Sequence, residues 1–384
     1  MSLLIYNKSG DFKNVIKGIN GLYLPYIIKI ILFKFEYINK LIKVIKMNKS
    51  DELIKIAKQM VEKGKGILAA DESSPTCSKR LTSIGVESTF ETRNEYRDML
   101  FGSEGLEKYI SGVILFDETF RQSTTCNDNT PFVEYLNSMG IIPGIKVDTG
   151  AKLLAQFEGE KITEGLDGLR ERLTEYYELG ARFAKWRAVI TIGDNRPSDA
   201  CLYGNAHALA RYAAICQECN IVPIVEPEVL MDGNHTIETC YEVSKRALNI
   251  VFEQLLLNHV MLEGIVLKPN MIISGTKCKV QADVDRVAEL TFKCLKENVP
   301  SEVPGIAFLS GGQSSNDATA HLSRMNEKYS ESMPWNLTFS YGRALQNDAL
   351  NAWSGSNRAA GQDALIKRAD ANSKATFGKA LSMS

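Results

Sequence analysis

The sequence predicts an α/β protein that forms a single (β/α)8 barrel, also called a TIM barrel. Two observations support this prediction. From Ser50 onward, short apolar segments alternate with stretches of helical periodicity, a pattern typical of a parallel sheet that helices cover on its outer face. Eight such units within about 290 residues also fit the usual size of this barrel.

The eight predicted strands recur at intervals of about 30 to 46 residues. They are GILAADES (66–73), GVILF (112–116), IPGIKVD (142–148), RFAKWRAV (182–189), IVPIVEPE (221–228), GIVLKPN (264–270), GIAFLS (305–310) and NLTFSYG (336–342). A doubly wound open sheet is the main alternative, but no GxGxxG motif follows the first strand. The barrel is therefore favoured.

The segments between the strands have the spacing of amphipathic helices. Before the fourth strand, for example, Leu166, Leu169 and Leu173 recur at helical intervals. The first helix is predicted to begin with Ser50 as its N-cap, because a serine side chain can accept a hydrogen bond from the free main-chain N–H groups there. Gly64 is predicted to end it.

The composition narrows the class of protein. Hydrophobic residues make up 44% and charged residues 24%, as in ordinary globular proteins, and the net charge of -1 suggests no nucleic-acid or membrane partner. The eight cysteines are scattered, which indicates a reducing, cytoplasmic location rather than a disulfide framework. Cys216 and Cys219 form an isolated CxxC pair, and the four histidines form no HxxxH or HxH pattern. No metal site is therefore predicted.

The first 46 residues are interpreted as an extension outside the barrel, which spans 47–372. They carry eight lysines against two acidic residues, a net charge of +6. The apolar segment 22–38 contains Pro25 and Lys29, so it suits neither a membrane-spanning helix nor a signal peptide. Two interpretations remain: a basic membrane-surface segment, or a disordered or non-native start. The helix predicted just after Met47 favours the second.

Polar and charged side chains follow seven of the eight predicted strands. They are Asp71, Glu72, Ser73, Lys146, Asp148, Lys185, Arg187, Glu226, Glu228, Lys268, Ser310, Ser340 and Arg343. In barrels of this type the carboxyl ends of the strands form the catalytic rim. Chance surface decoration does not readily explain so regular a pattern, which therefore predicts an active site at this rim.

Lys268 is the predicted nucleophile of that site. Imine formation with a carbonyl substrate needs a neutral amine, and burial or a neighbouring cation such as Lys185 lowers the pKa of a lysine. Glu226 and Glu228 lie two residues apart on one strand and so point to the same side, where repulsion between them would leave one able to act as an acid. Asp71 is a further candidate base. The ordinary alternative for Lys268 is a surface lysine, and the ordinary alternative for Glu226 and Glu228 is a structural salt bridge.

Two phosphate sites are predicted around the same rim. Small residues and main-chain N–H groups in the segments Ser310–Ser314 and Ser340–Arg343 form an anion nest, at the two strands where barrels commonly bind phosphate. Arg343 adds a guanidinium. Lys146, with Ser73 and the Lys79–Arg80 pair, can hold a second phosphate across the barrel mouth.

Taken in order, these motifs resemble the eukaryotic class I fructose-1,6-bisphosphate aldolases from Met47 to Asn372. The matching stretches are GKGILAADES, GVILF-ET, GIKVD-G, FAKWR, ARYA-ICQ, GIVPIVEPE (which has Asn220 in place of its first glycine here), LKPNM, FLSGGQS and PW-LTFSYGRALQ. The resemblance implies reversible cleavage of fructose 1,6-bisphosphate to dihydroxyacetone phosphate and glyceraldehyde 3-phosphate. It also implies a cytoplasmic homotetramer that needs no metal or other cofactor.

The resemblance assigns a role to each site residue. Lys268 would form the Schiff base, Glu226 would act as the acid and base of imine formation with support from Glu228, Asp71 would take the C4-hydroxyl proton, and Lys185 would lie beside the scissile bond. The 1-phosphate would bind Ser310, Gly311, Gly312, Ser340, Gly342 and Arg343, and the other end of the substrate would meet Ser73, Arg80, Lys146 and Arg187.

Two departures from the family and two alternatives complete the interpretation. The C-terminal tail, residues 373–384, lacks the family's terminal tyrosine, which assists protonation of the enamine, and Pro75 and Thr76 replace a glycine and a serine of many relatives. A transaldolase-like barrel is disfavoured because SGGQS, SYGR and VEPE occur together. An adaptor that bridges actin to acidic peptide tails through a basic rim would add to catalysis rather than replace it.

Overall fold

In the computed structural model, which describes residues 35 and 49–379, ten strands are present among the described residues. They are β1 (Gly66–Ala70), β2 (Ile110–Leu115), β3 (Ile142–Lys146), β4 (Gly150–Leu153), β5 (Lys161–Glu164), β6 (Phe183–Ile190), β7 (Val222–Val229), β8 (Val266–Leu267), β9 (Gly305–Phe308) and β10 (Asn336–Tyr341). All but β4 and β5 pair in parallel as a closed barrel, in the order β1-β10-β9-β8-β7-β6-β3-β2. The predicted (β/α)8 barrel is confirmed, and each predicted strand segment overlaps one barrel strand.

Helices cover the outside of this barrel. They are α1 (49–60), α2 (Ser74–Ser83), α3 (Phe90–Phe101), α4 (Asp117–Phe120), α5 (Phe132–Ser138), α6 (Leu169–Glu178), α7 (Asp199–Glu218), α8 (Ile237–Leu257), α9 (Val284–Asn298), α10 (Ser315–Tyr329), α11 (Arg343–Trp353) and α12 (Arg358–Ala375). Residue 49 is already helical, so the prediction that Ser50 is the N-cap of α1 is wrong. Gly64 follows the end of α1 with a φ of +90°, which favours glycine.

A small apolar core fills the barrel at the end where its strands begin. Side chains of α1, among them Leu53 and Met60, pack there against inward-pointing strand residues. The ring of Phe183 occupies the space beside β3, where a Cβ at Gly144 would lie 2.2 Å from a ring carbon. This close approach explains the glycine in the third strand, since any other residue would displace the ring.

The strand register brings polar residues together at the opposite end. In the parallel pairs, Lys146 lies beside Lys185, and Arg187 lies beside Glu226. The carboxyl ends of all parallel strands meet at one rim, so residues distant in sequence become neighbours there.

The antiparallel hairpin of β4 and β5 follows β3 and was not predicted. Its strands have four residues each and are mostly exposed, so they lack the apolar run or the alternation that reveals a strand in a sequence. The residues at its start reach the barrel rim, as described below.

The last helix, α12, ends at Ala375, beyond the predicted boundary of the barrel at residue 372. Asn372 is fully buried, and its Oδ1 accepts a hydrogen bond of 2.6 Å from Thr319. Residues 380–384 of the predicted tail lie outside the described part, as do residues 1–46 apart from residue 35. Of the helices in the described residues, none has the length and apolar character to cross a membrane.

Candidate active site

A cavity of about 390 Å³ opens at the carboxyl ends of the barrel strands. All the residues to which the resemblance assigns a role line it: Asp71, Ser73, Arg80, Lys146, Lys185, Arg187, Glu226, Glu228, Lys268, Ser310, Gly311, Gly312, Ser340, Gly342 and Arg343. Lys79, which was expected beside Arg80 at the second phosphate, is exposed and does not line it. The sequence therefore located one continuous site, although the residues come from strands far apart in the chain. Their catalytic and binding roles remain predictions.

Lys268 lies directly after β8 and is 3% exposed. Its main-chain N–H donates to the carbonyl of Val225 on β7 at 2.8 Å, which fixes the backbone, and its Nζ lies 3.4 Å from Oε1 of Glu226. Burial lowers the pKa of Lys268 below its usual value; the Glu226 carboxylate opposes this shift and the Lys185 ammonium adds to it. The amine can therefore become neutral more readily than an ordinary lysine.

Lys185 is equally buried, but its surroundings favour the opposite charge state. Its Nζ lies 2.9 Å from Oδ2 of Asp71 and 3.3 Å from Oε2 of Glu226. Burial acts to lower the pKa of Lys185, but the charges of Asp71 and Glu226 outweigh it and raise the pKa above its usual value. Lys185 is thus held as an ammonium, beside a Lys268 that gives up its proton more easily.

Asp71 is the acidic partner in this arrangement and is 8% exposed. Burial acts to raise its pKa, but the charges of Lys185 and Lys268 outweigh this effect and hold the pKa of Asp71 below its usual value. The carboxylate therefore stays ionised and can accept a proton from a substrate hydroxyl.

Glu226 and Glu228 both face the cavity, which confirms that they share one side of β7. Each carboxylate also has a cation beside it, which the sequence argument from mutual repulsion did not include. Glu226 lies between Lys185 and Lys268, and Glu228 forms an ion pair with Arg187. Glu226 is the one within reach of the predicted nucleophile.

The turn after β9 has the form of an anion site. Gly311 and Gly312 have φ values of +57° and +91°, and main-chain N–H groups of such turns form concave nests for anions. Ser340, at the end of β10, is 1% exposed, and its Oγ has no hydrogen-bond partner among the described residues. An unpaired buried hydroxyl costs about 1–3 kcal/mol, which a bound phosphate oxygen would offset.

Arg343 adds a charge that is available for binding. It is the first residue of α11 and is exposed. Of the cationic side chains that line the cavity, it is the one without a carboxylate partner among the described residues. A Cβ at Gly312 would lie 3.2 Å from its Nη2, so the turns after β9 and β10 approach each other closely.

The remaining predicted residues also line the mouth, and Arg80 lies beside the turn after β10, since its Nη2 is 3.7 Å from the position of a Cβ at Gly342. Ser73 precedes α2, and its hydroxyl is 3.2 Å from that of Thr76, which also lines the cavity. Lys146 pairs with Asp148 at 2.7 Å, and Arg80 pairs with Glu72 at 2.5 Å. These pairs keep both cations at the mouth in fixed positions.

Sequence reasoning missed a layer of polar residues behind the cavity wall. Arg97 on α3 donates to Glu72, and the fully buried Gln346 on α11 contacts both Glu72 and Arg80. Both missed residues lie on helices, where a polar residue in a sequence looks like an ordinary solvent-facing position. Gly150 and Ala151 of the hairpin also line the cavity and were missed with that hairpin.

No cluster of three or more His, Cys, Asp or Glu side chains suited to hold a metal ion occurs within the described residues. The carboxylates at the cavity are instead placed beside lysine and arginine side chains. The arrangement can supply a buried amine, an ionised carboxylate and an anion nest within one cavity.

Comparisons with known proteins give a consistent result. A family model described as fructose-bisphosphate aldolase class-I matches residues 52–383. A probable fructose-bisphosphate aldolase class 1 of Xanthomonas campestris is 54% identical over 332 residues, which is 86% of this chain and 98% of that protein. A fructose-bisphosphate aldolase of Plasmodium falciparum is 49% identical over 334 residues, 86% of this chain and 89% of that protein.

The structural comparison agrees with these relatives. The fold matches a solved fructose-bisphosphate aldolase from Plasmodium falciparum, described as a ternary complex with TRAP and a small-molecule inhibitor. The TM-score is 0.85 at 48% sequence identity, and the match covers 87% of this chain and 96% of that one.

Proposed function

The chain belongs to the class I fructose-bisphosphate aldolase family, whose members are lyases, and we propose that it performs this reaction through a Schiff base on Lys268. The substrate would be fructose 1,6-bisphosphate, and the products dihydroxyacetone phosphate and glyceraldehyde 3-phosphate, without a metal ion. The observation that carries the proposal is a deeply buried lysine that lines the cavity, has a lowered pKa and lies 3.4 Å from a carboxylate.

The first half of the reaction forms the imine. Neutral Lys268 attacks the C2 carbonyl of the open-chain sugar, and the resulting carbinolamine loses water to give the protonated imine. Glu226 lies close enough to Lys268 to donate the proton that lets the hydroxyl leave as water. Glu228, held by Arg187, keeps the adjacent wall of the cavity in place.

The second half breaks the carbon–carbon bond. Asp71 takes the proton of the C4 hydroxyl, the C3–C4 electron pair moves into the imine to form an enamine, and glyceraldehyde 3-phosphate leaves. Lys185, held as an ammonium beside Asp71, keeps that carboxylate ionised until it accepts the proton. The enamine is then protonated at C3 and the imine is hydrolysed, which releases dihydroxyacetone phosphate and neutral Lys268.

Two phosphate sites would hold the substrate across the cavity. The turn after β9, with Ser340, Gly342 and Arg343, supplies N–H, hydroxyl and guanidinium donors for the 1-phosphate. Ser73, Lys146 and Arg187 would hold the other end. The resemblance adds Arg80 there, although its Nη2 is 3.7 Å from the position of a Cβ at Gly342, in the turn assigned to the 1-phosphate. Fixing both ends of the sugar places its C2 carbonyl at Lys268, which lowers the entropy cost of the reaction.

Borohydride trapping with dihydroxyacetone phosphate tests the proposal. Reduction of the imine leaves a stable adduct, which peptide mass mapping assigns to a residue. We expect the adduct on Lys268, in equal amount with and without EDTA. An adduct on another lysine, or activity lost on chelation, would overturn the mechanism.

A homotetramer in the cytoplasm is proposed from the same family membership. All eight cysteines lie in the described part of the chain and none forms a disulfide, as suits a reducing compartment. Leu179, Leu256 and Leu257 are 47%, 57% and 65% exposed, which gives apolar surface that contacts between subunits could cover. Light scattering coupled to gel filtration measures the mass, and a monomer would contradict the tetramer.

A second role, as an adaptor for acidic peptide tails or actin, has narrower support. The Plasmodium falciparum aldolase whose fold matches is described in complex with TRAP. In this chain Arg80, Lys146 and Arg187 at the cavity are paired with carboxylates, which leaves mainly Arg343 to attract an anionic tail. Competition between the bisphosphate and an acidic peptide would support a shared site, and simultaneous independent binding would count against it.

A further inference from the structure

A buried histidine lies behind the turn after β9 and has no part in the steps above. His321, on α10, is 7% exposed and does not line the cavity. Its Nδ1 lies 2.6 Å from Oε1 of Gln313, the residue that follows the two glycines of the turn. Buried polar side chains are held by hydrogen bonds in most proteins, and this contact fills that role for the imidazole.

The proton on this imidazole can be placed from its surroundings. Burial lowers the pKa of His321 to about 4, although the carboxylate of Asp317 acts in the opposite direction, so the ring is neutral near pH 7. On the far side of the amide, Nε2 of Gln313 lies 3.7 Å from Sδ of Met271. Because a thioether can only accept a hydrogen bond, Nε2 faces the sulfur and Oε1 faces the ring. Nδ1 of His321 must therefore carry the ring proton and donate to Gln313.

Gln313 connects this histidine to the turn that is proposed to bind phosphate. Its main-chain N–H donates to the carbonyl of Ser310 at 2.9 Å, which closes the turn around Gly311 and Gly312. The turn ends at Ser314, which is the N-cap of α10. Main-chain N–H groups form an anion nest only in a particular backbone conformation, so a shift of Gln313 would change the direction of the groups that face the phosphate.

The other contacts of this turn lead toward the proposed nucleophile. Met271, the second partner of the Gln313 side chain, is 1% exposed and lies three residues after Lys268. The main-chain N–H of Leu309 donates to the carbonyl of Pro269 at 3.2 Å, which joins the start of the turn to the same segment. Gln313 is therefore held between α10 on one side and the segment that follows Lys268 on the other.

We propose that His321 is a positioning residue for the phosphate on the carbon next to the imine. By donating to Gln313, His321 fixes the turn at residues 310–314 before the substrate binds. Without this donor, the side chain of Gln313 can rotate, and ordering the turn then takes part of the binding free energy of the phosphate. This inference rests on the proposed function, which places the 1-phosphate in this turn.

Two ketones that differ only in a phosphate provide the test. Dihydroxyacetone phosphate and dihydroxyacetone can each form an imine with Lys268, and borohydride traps both. In His321→Leu, the concentration of dihydroxyacetone phosphate that gives half-maximal trapping should rise about fivefold, which corresponds to one neutral hydrogen bond. The same concentration for dihydroxyacetone should stay within about twofold, because this ketone has no phosphate to bind. Equal changes for both ketones, or no change for either, would overturn the inference.

An asparagine variant separates the hydrogen bond from general packing. The amide nitrogen of asparagine lies the same number of bonds from Cα as Nδ1 of histidine, so His321→Asn can still donate to Gln313. Its half-maximal concentration of dihydroxyacetone phosphate should stay within about twofold of the parent value. An asparagine variant that binds as weakly as His321→Leu would contradict the inference. His207→Leu, at an exposed position on α7, is the matched control.

A change at the other end of the hydrogen bond covers the case in which His321→Leu does not fold. Gln313 is half-buried and does not line the cavity, so Gln313→Met removes the acceptor without touching the substrate. The same selective rise of about fivefold is expected. No rise, or equal rises for both ketones, would overturn the inference. Failure of the proposed function would look different, because the parent enzyme itself would then show no adduct at Lys268.

Discussion

The two ends of the barrel bury side chains of opposite character, apolar at one end and charged at the other. At the end where the strands begin, α1 covers a core of apolar side chains that includes Leu53, Met60 and the ring of Phe183. At the other end, lysines such as Lys185 and Lys268 are almost as deeply buried, but they lie among carboxylates. Burial of apolar groups stabilises the fold, whereas buried ion pairs often contribute little net stability because of desolvation.

The difference teaches that burial serves two purposes in one barrel. At the apolar end it removes hydrocarbon from water, and the packing there is tight enough that a Cβ at Gly144 would collide with a ring carbon. At the polar end it shifts pKa values in opposite directions for two neighbouring lysines. Mutations at the two ends should therefore separate stability from activity.

The largest expected effect is at the polar end. Lys268→Ala should lower turnover by about a thousandfold or more, because the covalent intermediate can no longer form. Thermal unfolding should change little, since removing a buried amine also removes its desolvation penalty. Activity assays and calorimetry measure both, with Lys152→Ala on the exposed β4 as the matched control. Substantial residual turnover would contradict the Schiff-base role.

The converse change at the apolar end is Phe183→Ala. Loss of a fully buried ring should lower the free energy of unfolding by about 3–5 kcal/mol, because it leaves a cavity beside Gly144. The kcat of the folded enzyme should stay within about twofold. Urea denaturation provides the measurement, and Phe90→Ala, at a site that is 52% exposed, is the control. A large fall in kcat without loss of stability would contradict the prediction that the apolar end supports the fold rather than the chemistry.

A smaller effect is expected for a single phosphate contact. Arg343→Ala should raise the KM for fructose 1,6-bisphosphate by the equivalent of about 1.5–3 kcal/mol, with kcat less affected, because one charge-assisted bond is lost. Steady-state kinetics test this, with Arg286→Ala as the control because its surface ion pairs with Glu238 and Glu289 contribute little. An unchanged KM would indicate that Arg343 does not bind the phosphate and that the phosphate site lies elsewhere.

The smallest change is a displacement of the pH profile. Imine formation requires neutral Lys268, so its rate rises as pH increases through the pKa of that lysine, which burial holds below the usual value. Lys185→Met removes a nearby cation and leaves Asp71 and Glu226 less compensated, and both changes favour the ammonium form of Lys268. The rate of borohydride trapping should then rise only at higher pH. A shift to lower pH would contradict this electrostatic account.

Most of the fold was predictable because its signals are local. Each barrel strand is short and mostly apolar, and each overlaps a predicted segment. The hairpin of β4 and β5 was missed because its short strands are mostly exposed and carry no such signal. Ser50 was assigned as a cap because the residue type suits one, whereas the structure continues the helix through residue 49.

The site was predictable for a related reason: parallel strands bring their carboxyl ends to one rim, so strand-end residues can be grouped without knowing any distance. The partners within that rim were not predictable in the same way. Glu228 pairs with Arg187, and Glu226 lies beside Lys185 and Lys268. These contacts depend on the register between strands, which the sequence does not show.

By itself, the sequence determined the barrel, its eight strands and most of the residues that line the cavity at their carboxyl ends, because periodicity and strand-end chemistry are properties of consecutive residues. Only the tertiary structure decided which lysine lies beside which carboxylate, and that Arg97 and Gln346 support Arg80 through Glu72. Charge state depends on atoms a few ångströms apart that can lie hundreds of residues apart in the chain, so no local pattern records it.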